Sequence, residues 1–235
     1  MADTNPAPDP LEIGIILYPG FTLLDLAGPQ SALGLHGRTQ FFARTLDPVV
    51  SDTGAAVVPT ATFTHFEGRL DVLLVPGGFG TNDAMRDEAL RAFLVRVAPS
   101  AGYLCSVCSG SLILGTAGLL ANRRATTHWT LFEALEAVGA VPIHERVVND
   151  GNIWTGGGVT AGIDFGLKLL AELRSEDVAK LTQLMMEYDP EPPFATGNPQ
   201  AAGPALVSAA YAAMGEGTIR ETVSIAAARA AEMRA

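Results

Sequence analysis

The chain has 235 residues, 48% hydrophobic and 17% charged, which is ample for one packed domain with a sizeable core. Its formal net charge of −10 argues against non-specific nucleic-acid binding, which depends on Lys and Arg neutralising phosphates. No apolar run is long enough to span a bilayer, so no membrane partner is expected.

Residues 1–10, MADTNPAPDP, read as a short flexible arm without the basic and apolar regions of a secretory signal. Residues 11–235 read as a single domain with a C-terminal helical extension. EIGIILY (12–18) is a buried strand bounded by Pro19-Gly20, and TLLDLAGPQSALGL (22–35) is helical with a break expected at Pro29. A second strand follows at 40–46, then an irregular β connection over 49–63 with turn signals at Asp52 to Gly54. LDVLLVP (70–76) is a strand that ends in Pro76-Gly77-Gly78, and 82–98 is one amphipathic helix. A strand at 101–107 leads into a helix at 109–120, and further strands are expected at 123–129 and 145–158. Helices are expected at 159–173 and 175–188, a loop at 191–203, and an Ala-rich helix at 204–234. Strands alternating with helices indicate an α/β domain with a mostly parallel central sheet. In such sheets, sites form outside the C-terminal ends of the strands. The turn with Asp25, Gly77-Gly78, Cys108 and Gly156-Gly157-Gly158 all fall there.

Cys105 and Cys108 are the only cysteines. That is too few for a disulfide scaffold and points to a reducing, cytoplasmic setting. If the strand runs through Cys105 to the turn, the two are about 10 Å apart and point to opposite faces, beyond the roughly 7 Å a disulfide allows. A zinc site needs more Cys or paired His. The four histidines, His36, His65, His128 and His144, are scattered, so no metal is expected. Cys105 then reads as a core residue. Cys108 sits at the strand-to-helix junction before Ser-Gly-Ser, the position of a nucleophile elbow, where free helix N–H groups should lower the thiol pKa. The glycines after Pro76 can turn tightly and present N–H donors. Asp25, in the apolar stretch TLLDLAG, reads either as a helix cap or as a site carboxyl with a raised pKa.

Taken together, the turn with Asp25, PGGFG, SVCSGSLILGTAGLL, RRATTHW and GGGVTAGID resemble the DJ-1/PfpI superfamily, and within it the bacterial isocyanide hydratases. The resemblance runs from about residue 11 to the end. It implies a flavodoxin-like sandwich, a homodimer, a nucleophilic Cys108 and an acid at Asp25. Many relatives carry Glu at the acid position, and the hydratases carry Asp. Ser109 stands where the hydratases usually have Thr, and where peptidase-like members have His. His128, twenty residues after Cys108, lies near the cysteine in several members. The implied reaction adds water to an isocyanide through a cysteine thioimidate, giving an N-substituted formamide with no cofactor. Cys108 supplies the nucleophile and Asp25 the proton, while Gly78, Ser109 and the backbone at Val159 hold charged intermediates. A glyoxalase-type activity on α-oxoaldehydes and a non-enzymatic redox sensor or binding protein are the alternatives. Asp25 in place of Glu weighs against the first. The C-terminal segment shows no basic recognition face, which disfavours a DNA-binding regulator.

Overall fold

The computed structural model describes residues 9–64 and 66–234. Most of the expected arm, residues 1–8, lies outside them. In chain order the elements are β1 (Leu11–Ile16), α1 (Leu23–Leu33), β2 (Gly37–Ala43), the short ribbon of β3 (Val49–Val50) and β4 (Ala56–Val57), β5 (Ala61–Thr62), β6 (Val72–Val75), α2 (Thr81–Arg86), α3 (Glu88–Val97), β7 (Tyr103–Val107) and α4 (Gly110–Thr116). The second half adds β8 (Arg124–Ala125), α5 (Phe132–Ala137), β9 (Val141–Pro142), β10 (Val147–Asp150), β11 (Ile153–Gly156), α6 (Ala161–Leu173), α7 (Glu176–Met185), α8 (Pro199–Met214) and α9 (Glu216–Arg234).

Seven strands form one sheet in the order β10-β11-β7-β6-β1-β2-β5. Every pairing is parallel except β10 with β11, which are joined by the Asp-Gly turn. The central strands are apolar on both faces; all four residues of β6, VLLV, are buried. A strand reads this way when helices cover both sides of the sheet. One group of helices, α1, α6 and α7, packs together, and α2, α4, α5 and α9 form a second.

Three expected helix boundaries shift. α1 runs through Pro29 without breaking. The proline lies in the contact with α6, where Gly162 and Gly166 leave room for its ring and backbone. That close helix packing compensates for the missing N–H. The helix expected over 82–98 is two, divided at Asp87, whose carboxylate accepts the N–H groups of Ala89 and Leu90 at 2.8 and 2.9 Å. The C-terminal helix is likewise divided, at Gly215 (φ 82°), and α8 itself begins at Pro199 inside the expected loop and kinks at Gly203. The strand expected at 123–129 shrinks to Arg124–Ala125.

Candidate active site

Four adjacent parallel strands, β1, β6, β7 and β11, end side by side, and each delivers one loop to the same place. The loops after β1 and β6 are stitched together by Thr22 N–H to Gly77 C=O (2.7 Å) and Gly80 N–H to Gly20 C=O (3.0 Å). This seats the first turn of α1, and Asp25 with it, against Gly77. One carboxylate oxygen of Asp25, Oδ2, accepts the Gly77 N–H at 3.0 Å. The other, Oδ1, is buried with no hydrogen-bond partner among the described residues. Gly77 must be glycine: a Cβ there would lie 2.5 Å from the Ser109 nitrogen and 2.9 Å from the Cys108 Cβ.

Cys108 occupies the sharp turn between β7 and α4 with φ 57°, a left-handed conformation that non-glycine residues seldom adopt. Its N–H donates to the carbonyls of Gly156 and Gly157, and its own carbonyl accepts from the hydroxyls of Thr127 (3.1 Å) and Ser111 (3.2 Å). Those bonds hold the strained turn in place. Val159, at φ 26°, is a second strained residue, and a β-branched one. Its N–H and that of Ser109 are directed at the Cys108 thiol.

The expected lowering of the Cys108 pKa is reversed. Burial pushes the thiol up, the neighbouring Asp25 charge adds to this, and the Ser109 and Val159 donors only partly oppose them. The physical reason is that Cys108 is only 7% exposed, and α4, with seven residues, is a short source of dipole field. Burial thus favours the protonated thiol at Cys108. Burial likewise raises Asp25, which is 0% exposed, to a pKa of about 7; the Gly77 N–H and the Cys108 thiol pull the other way, and the charge of Asp52 pushes it further up. A group balanced near neutrality beside a protonated thiol can take a proton and return it. Cys105 is fully buried in β7, and both cysteines are free.

Gly78 was expected to offer a free N–H, but this group donates to Ser109 Oγ at 3.0 Å. Thr81 donates its hydroxyl to the Gly78 carbonyl and lies 2.7 Å from Ser109 Oγ. With both neighbours so arranged, the Ser109 hydroxyl proton is left to point either to Thr81 or towards the thiol, whose pKa it lowers. His128 is brought to the site. Its Nδ1 lies 2.8 Å from Thr130 Oγ1, its ring is pressed against Gly158, and burial lowers its pKa to about 4, so it is neutral at neutral pH.

Gly78, Thr81, Cys108, Ser109, His128 and Val159 line a cavity of about 170 Å³ that also contacts Asp52, Phe79, Asn82, Leu131 and the C-terminal residues Met214, Ile219 and Thr222; Asp25 lies behind Gly77 and is not among the described residues of its lining. Neither Asp52 nor Thr81 stands out in the sequence as a site residue. Asp52 lies within a turn signal; Thr81, a hydroxyl residue directly after PGGFG, is the available clue. Nothing in the Ala-rich C-terminal helix marks its residues as cavity-lining.

The DJ-1/PfpI family profile matches residues 12–172. Isonitrile hydratase from Pseudomonas putida is 48% identical over 202 residues, which is 85% of this chain and 88% of that protein. A THiJ/PfpI family protein from Pseudomonas syringae has the same fold at a TM-score of 0.90, with 44% identity over 96% of this chain and 95% of its own. The HTH-type transcriptional regulator GbdR from Pseudomonas aeruginosa is 30% identical over 77% of this chain, a match that covers only 52% of the regulator. A profile spanning more than half of the residues, and a relative nearly half identical along most of its length, agree with an elbow cysteine facing a buried acid: the chain belongs to the DJ-1/PfpI family.

Proposed function

We propose that this protein is an isocyanide hydratase, converting an isocyanide and water to an N-substituted formamide. The observation that carries the reading is the pairing of the Cys108 thiol with Asp25, a fully buried carboxyl whose pKa of about 7 suits proton transfer, in a chain so similar to an isonitrile hydratase.

The chemistry follows from those protonation states. Ionised Asp25 takes the thiol proton as sulfur attacks the terminal isocyanide carbon, and a C–S bond forms. Asp25 then gives that proton to the same carbon, leaving a thioimidate, R–N=CH–S–Cys108. Asp25 takes a proton from water as the oxygen attacks the thioimidate carbon and passes it to the nitrogen, giving R–NH–CH(OH)–S–Cys108; the hydroxyl proton then moves through Asp25 to sulfur in the next step. Collapse of the tetrahedral adduct breaks the C–S bond, releases R–NH–CHO and returns a proton to sulfur. Atoms balance as isocyanide plus water, and no step calls on a metal or organic cofactor. Sulfur develops negative charge when it loses its proton and again when it leaves. The N–H groups of Ser109 and Val159 and the Ser109 hydroxyl support it there, while Gly78 acts through Ser109. His128, neutral, shapes the cavity beside them.

We read residues 11–235 as one domain that works as a homodimer in the cytoplasm. The dimer is supported by the exposed apolar face of α7, and the compartment by the need to keep Cys108 reduced. The test of function is formamide production from cyclohexyl isocyanide after EDTA treatment. Cys108→Ala should abolish it, and limiting iodoacetamide should label Cys108, which lines the cavity, and spare Cys105, which is fully buried inside β7. Turnover of methylglyoxal with no formamide formed would reassign the enzyme to α-oxoaldehydes.

A further inference from the structure

The family profile ends at residue 172, yet part of the cavity wall comes from beyond it. Met214 at the end of α8, with Ile219 and Thr222 on the first turns of α9, faces the cavity that holds Cys108. α9 is not loosely placed. The Thr222 hydroxyl donates to Asn82 Oδ1 at 2.7 Å, and the Asn82 amide reaches the Thr218 carbonyl and Glu221 at 3.4 Å each. Arg86 closes the set with an ion pair to Glu221 at 2.6 Å. Asn82 and Arg86 belong to α2, the helix whose first residue, Thr81, contacts Ser109. One short helix therefore fixes the C-terminal wall and the nucleophile loop in register.

The wall presents Ile219 and Met214 beside Thr218 and Thr222. Ile219 and Met214 share the cavity with Leu131 and Phe79. The carboxylate among its described lining residues is Asp52, whose Oδ2 accepts the Thr22 hydroxyl at 2.5 Å, and no Lys or Arg is among them. The volume, about 170 Å³, compares with roughly 150 Å³ for an apolar protein cavity that takes up benzene. That is about the size of a six-membered ring and smaller than a fused two-ring group.

We propose that α9 is the substituent-binding wall of this site, with Ile219 as its size-determining residue, and that it restricts the substrate to isocyanides carrying a compact, uncharged, apolar group. This rests on the hydratase reading but has its own readout. Isocyanides that differ only in substituent, methyl, cyclohexyl, 2-naphthyl and 4-carboxyphenyl, are compared by kcat/KM on the parent protein, Ile219→Trp and Ile219→Ala. In parallel, Cys108 is alkylated with N-methyl and N-naphthyl iodoacetamide. The parent should prefer cyclohexyl over naphthyl and over the carboxylate, by about tenfold or more, the scale on which apolar pockets discriminate size. Ile219→Trp should lower cyclohexyl turnover by about tenfold while methyl isocyanide stays within a few-fold, and Ile219→Ala should raise naphthyl turnover. The alkylation ratio should move in the same sense. Size ratios that stay the same in both variants overturn the wall, and so does parent turnover of the carboxylate that equals the cyclohexyl rate. If no isocyanide yields formamide but the alkylation ratio still follows residue 219, the hydratase reading fails and the wall stands.

Discussion

Asp25 and Cys108 constrain each other's protonation, and this makes their roles testable by pH. In the proposed mechanism the buried thiol is protonated at rest, so the reaction waits on an ionised Asp25 to accept its proton. The rate should therefore rise with pH through about 7, the Asp25 pKa. Asp25→Asn should lose on the order of a hundredfold in turnover and also lose that pH step. A parent-like rate in Asp25→Asn would remove the carboxyl from the mechanism. Stability should move the other way. In the unfolded chain Asp25 releases its proton near pH 4, whereas in the folded protein it holds it to about 7. The unfolded state therefore binds fewer protons between those values, and stability falls as pH rises across that window. Asp25→Asn escapes this loss. Its unfolding free energy should exceed the parent's by a few kcal/mol at pH 8, accumulated at about 1.4 kcal/mol for each pH unit of that window, and by little at pH 4. His128 has the opposite sign: its pKa is lowered to about 4, so its contribution is full above about pH 6.5 and is lost on acidification towards 4. Denaturant titrations of Asp25→Asn and His128→Gln at pH 4, 6 and 8 separate the two slopes.

Among the elements, the clearest lesson lies in where helices stop. Asp87 divides α2 from α3 because its carboxylate takes two free N–H groups at the start of α3 and also pairs with Arg44 at 2.6 Å. Asp87→Ala should cost about 1 kcal/mol, and Asp87→Asn much less, since Asn caps about as well; urea unfolding measures both. An unchanged midpoint in Asp87→Ala would make the cap dispensable. The break is hidden in the sequence because the apolar periodicity of 82–98 continues across Asp87. By contrast, the strands of the central sheet are legible from short, continuous apolar runs such as VLLV, and the elbow from a cysteine placed between a strand and Ser-Gly-Ser. Asp25 is legible as a carboxyl out of place among leucines. Its partner Gly77 and the unpartnered Oδ1 are products of tertiary contact between loops about 50 residues apart. The same holds for Asp52, Asn82 and Ile219, which reach the cavity only through packing between distant segments, α2 against α9 among them. The Cys108 pKa moves against the sequence expectation for a related reason. Position at a helix start is visible in sequence, but the depth of burial that outweighs it is not.

For the whole molecule, α7 presents Leu181, Leu184 and Met185 on one face, at 59, 77 and 67% exposure. Their spacing of three and four residues aligns them along one stripe of the helix. A chain with a net charge of −10 and a large apolar core gains little by leaving such a stripe in water when a second copy can cover it. A two-fold contact would place the same stripe on both partners, self-complementary as such dimers require. In the single chain the cavity is walled in part by α9. Light scattering at micromolar concentration should thus give about twice the chain mass of 24.5 kDa. Leu184→Asp, at a position exposed in the single chain, should leave the fold intact while placing two carboxylates in the contact, and should reduce the mass to that of one chain. Formamide production per site should persist in that variant. A parent protein that scatters as one chain overturns the dimer, and a Leu184→Asp protein that remains double moves the contact away from α7. A monomeric variant that folds but loses turnover would show that the partner, and not α9 alone, completes the cavity.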